Sequence, residues 1–412
     1  MVLFISTSIQ TVFASDTIRV MHYNLLNYAN STAYCDQNNN NLMAKESAIS
    51  SILDYINPDI FTVNEVSANQ LTANRLLGIV NAANQKNYSM SSYSNTSASD
   101  LVNLIFYNNE KLTVYKQRNI STSVRDFIAV TFYYNSVDIQ LGDTAFLTCI
   151  VGHLKAGSAT EDATQRSQMV NILLEYLNNN NYSGNILLSG DFNVYSSSET
   201  CYQSLLNAAN LNIRFFDPVN KPGSWHANSV FASYHTQSTH STSNGCASGG
   251  GFDDRFDFIL GTLPVFNNTH KVEYLTGSYK AIGQNGTAYN NSILNMSNNL
   301  PYNINQALYT VGDHLPVMLD LIIHQTHVGI ETVSVKNKIF IDSENQLHIQ
   351  LPDNANNCQV KIIDPLGKIR FENNFQLDGN KTLIINLSLQ PGLYFVVCQF
   401  DQRMINKKVY IR

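Results

Sequence analysis

The chain has 412 residues, too many for one ordinary domain, and 44% of them are hydrophobic, enough for a large core with a smaller unit beside it. Its formal net charge is −6 at pH 7, from 25 Lys and Arg against 31 Asp and Glu. That balance excludes a protein that grips a polyanion by charge alone, so contact with nucleic acid has to run through metal ions. The charge is also uneven: from Ser334 onward ten Lys and Arg face seven Asp and Glu, which leaves the acidic surplus to the rest of the chain.

Taken in order, Met1 to Ala14 (MVLFISTSIQTVFA) is apolar and ends on the small-x-small pattern Val12-Phe13-Ala14. It reads as a secretory signal peptide, residues 1–14, although it lacks a basic residue near its start. TIRVMHYNLLNY then reads as a strand, KESAISSILDYI as a helix and PDIFTVNEV as a strand. ANQLTANRLLGIVNAA has helical spacing, while DLVNLIFYN, KLTVYK, DFIAVTFYY and TAFLTCIVGHL are strands. ATQRSQMVNILLEYLNNN is an amphipathic helix. GNILLSGDFN, DRFDFILG and HLPVMLDLII complete the strands, separated by polar stretches from Lys221 to Gly251 and from Gly277 to Asn303. Runs of strands with few helices between them predict an α+β layered sandwich over residues 15–324.

After a linker at 325–333, short alternating segments (QLHIQL, CQVKIIDPLGKIRF, KTLIINL, GLYFVVCQF, KKVYIR) with Pro-Leu-Gly and Pro-Gly turns predict a small β-sandwich over 334–412. It holds no cluster of catalytic residue types. No later apolar run approaches the length of a membrane span, so no transmembrane segment is expected, and the mature chain should be a monomer.

Polar residues close or interrupt several apolar strands of the larger unit: Asn24, Glu65, His153, Asp191, Asn193, Asp257, and Asp313 with His314. Taken singly, each has a bland reading. His153 suits a satisfied core histidine, Glu65 a strand-end cap, and Asp191 with Asn193 an Asx-type turn. Together they are the residue types that metal-assisted phosphoester hydrolysis needs. A divalent cation on carboxylate and amide oxygens neutralises the phosphate, and Mg²⁺ needs only one or two protein carboxylates. Histidine beside a carboxylate supplies acid–base or charge-stabilising work.

The order NLLNY, NEV, GHLKAG, GDFN, DRFDFIL and GDHLPV resembles the endonuclease/exonuclease/phosphatase (deoxyribonuclease I-like) superfamily, from about Ile18 to Ile323. The resemblance implies a four-layered α/β sandwich of two packed, mainly antiparallel sheets flanked by helices. It implies Glu65, Asn24 and Asp313 as metal ligands, for Mg²⁺ or Mn²⁺, with Ca²⁺ as a structural ion. Asp191 would position the attacking water, Asn193 would hold the phosphate, and His153 and His314 would flank it. Asp257 or Asp313 would support His314, and Asp100 would support His153. Arg125, and Lys155 as a second positive group, would contact the phosphate. Gly312 stands where the family more often carries Ser.

The tail, with VKIIDPLGKI and LQPGLYFVVCQF, resembles the sorting domains of type IX secretion, although it lacks their usual Pro-Asn-Pro. The resemblance implies a secreted or surface-attached protein, with the secretion machinery as a partner. The expected activity is cleavage of DNA, with RNA as a further substrate. The alternatives are a sphingomyelinase-like phosphodiesterase or phosphatase on lipid or small phosphates, and a non-catalytic surface-binding protein.

None of the six cysteines lies in a CxxC pair, which argues against zinc or thiol redox chemistry. Export permits disulfides. Cys201 and Cys246, in loops flanking Asp191 and Asp257, are the expected bridge. Cys149 should be a buried free thiol, and Cys358 and Cys398 remain as a pair for the tail.

Overall fold

The computed structural model describes residues 14–83, 86–325, 339–342, 345–351, 357–377, 382–400 and 403–411. The chain divides into two units, Met1–His327 and Val328–Arg412. The expected signal peptide, apart from Ala14, and the expected linker, apart from Gln325, lie outside the described residues.

The first unit begins with β1 Ala14–Tyr28, α1 Leu42–Ile56, β2 Ile60–Ser67, α2 Gln70–Ala82, β3 Tyr88–Met90, β4 Leu101–Asn108, β5 Leu112–Ile120 and β6 Phe127–Tyr134. It continues with β7 Phe146–His153, α3 Thr160–Asn179, β8 Ile186–Asp191, α4 Thr200–Leu206, β9 Phe215–Phe216, β10 Asp257–Thr262 and α5 Leu263–Asn267. β11 Val272–Tyr274, β12 Lys280–Ala281, α6 Tyr302–Val311 and β13 Val317–Gln325 close it.

One sheet has the strand order β11-β13-β1-β2-β4-β3, with β12 also on β13, and the other runs β5-β6-β7-β8-β10-β9. Among the described strand pairs of these two sheets, only β1–β2 and β7–β8 are parallel. Side chains alternate across a strand. Ile18 and Val20 therefore share a face with Ile60 and Leu319, and meet Val130, Val151, Leu187 and Ile259 of the other sheet in one apolar layer. On the outer face of the first sheet, Tyr23, Phe61, Val63 and Leu104 pack against α1, α2 and α6. Behind the second sheet, Ala129, Ile150, Leu188 and Leu260 pack against α3 and α4. The α+β, four-layered sandwich is thus the observed fold.

Helix α6 follows an Asn-rich stretch that reads as loop. Its buried residues Ile304, Ala307, Leu308 and Val311 recur at helical spacing and join the core shared with α1. Burial of each large apolar side chain stabilises by ~1.5–3 kcal/mol, enough to override the weak local signal.

The second unit comprises β14 Ile339–Ile341, β15 Gln346–Gln350, β16 Asn357–Ile363, β17 Ile369–Gln376, β18 Thr382–Asn386, β19 Gly392–Phe400 and β20 Arg403–Ile411. They form sheets β14-β15-β18 and β17-β16-β19-β20 around one core that includes Leu347, Ile349, Val360, Ile362 and Val396. Cys358 and Cys398 are both buried free thiols there, each opposite an apolar residue of the neighbouring strand rather than the other cysteine.

The expected Cys201–Cys246 bridge is not the one formed. Cys246 pairs with Cys35, 211 residues away, and Cys201 is a buried free thiol. β8 and β10 are indeed neighbours, with Asp191 opposite Asp257. However, α4 turns Cys201 into the apolar core beside Tyr202 and Leu205, while the loop bearing Cys246 reaches the β1–α1 connection. There Asn39 and Asn244 exchange side-chain to backbone hydrogen bonds of 3.2 and 3.0 Å. Cys149 is buried and free, as the sequence suggests. Peptide mapping without reductant should recover Cys35 joined to Cys246. Replacing both by Ser should lower the unfolding free energy by ~2–4 kcal/mol. Separate alkylated peptides would refute the pairing.

A second anchor is ionic. Arg255 and Asp217, both nearly inaccessible, form a two-pronged pair at 2.7 and 2.9 Å, and the guanidinium lies 4.3 Å from the ring centre of Phe258. Asp217→Asn would leave the buried guanidinium without its counter-charge. The expected cost is ~3–5 kcal/mol, read as a lowered urea midpoint with an unchanged slope.

Candidate active site

Period-two alternation carries the inter-sheet layer from apolar to polar at one end. The inner-face rows read Ile18, Val20, His22, Asn24 on β1, and Ile60, Thr62, Asn64 on β2. On the other sheet they read Cys149, Val151, His153 on β7, Leu187, Ser189, Asp191 on β8, and Ile259, Asp257 on β10. Strand register aligns these row ends: Asn24 lies opposite Asn64, and both His153 and Asp257 lie opposite Asp191. Three hydrogen bonds tie the sheets together there, Thr62 Oγ1 to Ser189 Oγ at 2.8 Å, Asp191 N to Asn64 Oδ1 at 2.9 Å and Asn24 Nδ2 to Asp191 Oδ2 at 3.0 Å.

Alternation alone would turn Glu65 away from this face. Instead the pairing of β1 with β2 slips between Asn24 and Tyr28, and Glu65 takes a left-handed backbone conformation, φ 62°. Leu26 and Asn27 are left-handed as well, with φ 42° and 51°. The paired bulges aim the Glu65 carboxylate at the site, where Oε1 accepts from Asn24 Nδ2 at 3.0 Å and Oε2 from the Asn27 amide at 2.9 Å. Lys45, buried on α1, holds the bulge from behind by donating to the carbonyls of Leu25 and Leu26. Burial pulls its pKa down to about 7, against the attraction of Glu65 and Asp313. Gly312 abuts the same bulge: a Cβ there would come within 2.7 Å of Leu26 Cβ, which accounts for the missing Ser.

The two histidines converge. His153 Nε2 lies 3.5 Å and His314 Nε2 3.7 Å from the same oxygen, Asp191 Oδ2. His314 Nδ1 is 2.7 Å from Asp257 Oδ2. Burial disfavours charge on His314, but Asp257, Asp191 and Asp313 outweigh it and hold its pKa well above the usual value. Burial, with Arg125 and His314 adding to it, pushes His153 well below. One imidazole is therefore cationic and the other neutral near pH 7. Burial pushes Asp191 up to about 7, with Asp257 and Glu65 reinforcing the shift and His314 opposing it.

Glu65, His153 and Asp191 each offer a ligand atom within 4.8 Å of the others. Two carboxylates crowded together at a buried edge favour a bound cation, so this donor set fits a divalent metal. The set differs from the expected Asn24, Glu65 and Asp313. Asn24 Oδ1 is taken by the Leu26 amide, and its Nδ2 bridges Glu65 and Asp191 at 3.0 Å each. Asp313 Oδ2 accepts from the Ser248 amide and from Gln237 Nε2, at 2.9 and 3.2 Å. Its buried Oδ1 has no hydrogen-bond partner.

The remaining expected residues divide. Asn193 reaches the site by a turn rather than by extended alternation. Strand β8 ends at Asp191, Asn193 is left-handed with φ 51°, and its amide donates to Asp191 Oδ1 at 3.0 Å. The Asx-type turn and the site thus coexist. Gly190 serves close strand packing rather than a ligand, since a Cβ would meet the Gly152 carbonyl at 2.0 Å. Arg125 donates to the Leu154 carbonyl at 3.2 Å, and Glu65 and Asp191 act on its charge, so it borders the site. Lys155 is drawn away into an ion pair with Asp162 at 2.8 Å. Asp100 does not support His153. It is exposed and out of phase with the inward-facing Asn103 and Ile105, and the buried His153 Nδ1 has no hydrogen-bond partner.

Other residues of the site escape the strand-end rule. His22 and Asn64 share rows with Asn24, so alternation was a usable signal for both. Burial pushes His22 down to about 4, which leaves it neutral. Gln237, 2.8 Å from His314 Nε2, comes from a polar loop without periodicity, and no pattern marks it.

The Endonuclease/Exonuclease/phosphatase family model matches residues 21–314, and that of the secretion system C-terminal sorting domain matches 343–412. No curated protein matches the chain. Among solved structures, the human Nocturnin catalytic domain with bound sulfate is 17% identical, covers 75% of this chain and 97% of its own, and has a TM-score of 0.45. D. rerio TDP2 complexed with a single-strand DNA product is 12% identical, with coverage of 74% and 98% and a TM-score of 0.48. An endonuclease/exonuclease/phosphatase family protein from Bacteroides thetaiotaomicron is 15% identical, with coverage of 77% and 100% and a TM-score of 0.46. The sorting tail marks a secreted or cell-surface-attached protein. No helix among the described residues is long and apolar enough to cross a membrane.

Proposed function

Because the chain belongs to the endonuclease/exonuclease/phosphatase family, we propose that it is an exported, metal-dependent phosphodiesterase that cleaves nucleic acid, with DNA as the main substrate. The observation that carries this reading is the convergence of His153 and His314 on one oxygen of Asp191, beside Glu65 and Arg125. Glu65 and Asp191 would hold Mg²⁺, or Mn²⁺, within reach of His153. When bound, that cation neutralises the phosphate and steadies the leaving oxygen.

The chain's own groups supply the rest. Arg125 and the side-chain amide of Asn193 bind phosphate oxygens without adding negative charge. Asp191 orients the attacking water by accepting a hydrogen bond from it. His314, kept cationic by Asp257, faces the charge that develops on phosphorus-bound oxygen. His153, neutral, contributes a directed hydrogen bond from the other side. The tail would hand the protein to the type IX secretion machinery.

The test is cleavage of supercoiled plasmid and of RNA, with Mg²⁺ and with chelator, beside choline-phosphate release from sphingomyelin vesicles. Metal-dependent plasmid nicking is expected. Release from vesicles alone would favour the lipid phosphodiesterase, and no turnover of any substrate would favour a binding protein.

A further inference from the structure

His22 is fully buried between the two sheets, in a row whose neighbours Val20, Val151 and Ile259 are apolar. A neutral imidazole there needs partners for both ring nitrogens. Nδ1 lies 3.1 Å from Thr62 Oγ1, which is 2.8 Å from Ser189 Oγ. Nε2 faces Asp257 Oδ1 at 3.7 Å. Both of those atoms are buried and neither has a hydrogen-bond partner. The other oxygen of the same carboxylate holds His314. Asp257 therefore sits between two imidazoles, one per oxygen, and the inner one belongs to none of the groups assigned above.

We propose that His22 is a positioning residue: its Nε2–H is the second donor to Asp257 and keeps the carboxylate turned so that Oδ2 stays on His314 Nδ1. This requires the Thr62 hydroxyl to donate to Nδ1 rather than to the Met21 carbonyl 3.4 Å away, which puts the single proton of the neutral ring on Nε2. This is the arrangement in which an outer partner orients a working histidine, extended by one member through a shared carboxylate. The gap of 3.7 Å closes by a small shift of the Asp257 carboxylate, since such contacts are often long without substrate and tighten when it is held. Asp257 alone, free to rotate about its side-chain bonds, would keep His314 in register only part of the time.

The kinetic arm of the test rests on the phosphodiesterase reading, and the spectroscopic arm does not. His22→Leu fills the site without a donor and should lower kcat by about 10–100-fold, the size typical of outer partners, at unchanged KM. His22→Gln restores a donor near Nε2 and should recover activity to within about threefold of the parent protein, an order of magnitude above the Leu variant. Full kcat in the Leu variant, or equal losses in both, would overturn the proposal. Long-range ¹H–¹⁵N spectra of the unsubstituted protein read the tautomer directly, whether or not any variant folds and whatever the enzyme hydrolyses. A proton on His22 Nε2 is expected, and one on Nδ1 overturns the assignment.

Discussion

His314→Ala is expected to slow phosphodiester hydrolysis by ~10²–10⁴-fold, the usual contribution of a positioned acid–base group. His314 is nearly inaccessible, bonded through Nδ1 to Asp257 and directed through Nε2 at Asp191. Three carboxylates hold it cationic against the opposing effect of burial. Its removal strips the centre of the one imidazolium and leaves Asp257 and Asp191 to repel each other. His153→Ala should cost activity too, yet through a different route, because that ring is neutral and loses a hydrogen bond rather than a charge. Steady-state kinetics on bis(p-nitrophenyl) phosphate, with circular dichroism as a check on folding, decides the matter. A loss below tenfold in a folded His314→Ala protein would remove it from the chemistry.

Glu65→Gln should abolish most activity and raise the Mg²⁺ concentration for half-maximal rate by at least tenfold. The substitution keeps length and shape, so the left-handed backbone at residue 65, a conformation that costs ~1–3 kcal/mol, is asked of the new residue as of the old. What changes is charge. The carboxylate accepts from Asn24 and Asn27 on separate oxygens, and Gln has only one acceptor to offer them. Calorimetric titration with Mg²⁺ should show the weakened binding without reference to turnover. Full activity of the parent protein in excess chelator would refute metal dependence altogether.

Most of the layered fold was legible because its strands carry clear alternation or continuous apolar runs, because His153, Asp191 and Asp257 stand at strand ends, and because Asn24 interrupts the apolar row of β1. Alternation was enough to place Asp191 and Asp257 together and would have found His22. It could not anticipate Glu65, whose inward aim depends on a bulge, nor Gln237, which arrives from an irregular loop. Asp100 failed for the converse reason: a position just before a strand says nothing about phase. The Cys201–Cys246 pairing does not follow from the adjacency of β8 and β10, because neighbouring strands do not make loop side chains neighbours and α4 points Cys201 into the core.

The pairing of β1 with β13, which brings Ile18 opposite Leu321, has a consequence for the order in which the centre comes into being. The two ends of the larger unit lie side by side, and the groups of the centre are drawn from residue 22 to residue 314. A chain emerging from its N-terminus carries Glu65 and Asp191 long before it carries His314, and β1 waits with one edge unpaired until β13 arrives. Such non-local closure is slow relative to helix formation, because a long loop must be closed before the contacts that reward it exist. Hydrolytic competence therefore comes last, as a property of the completed sheet, and a chain truncated before Val317 would hold every side chain of the centre without the strand that brings them into one place.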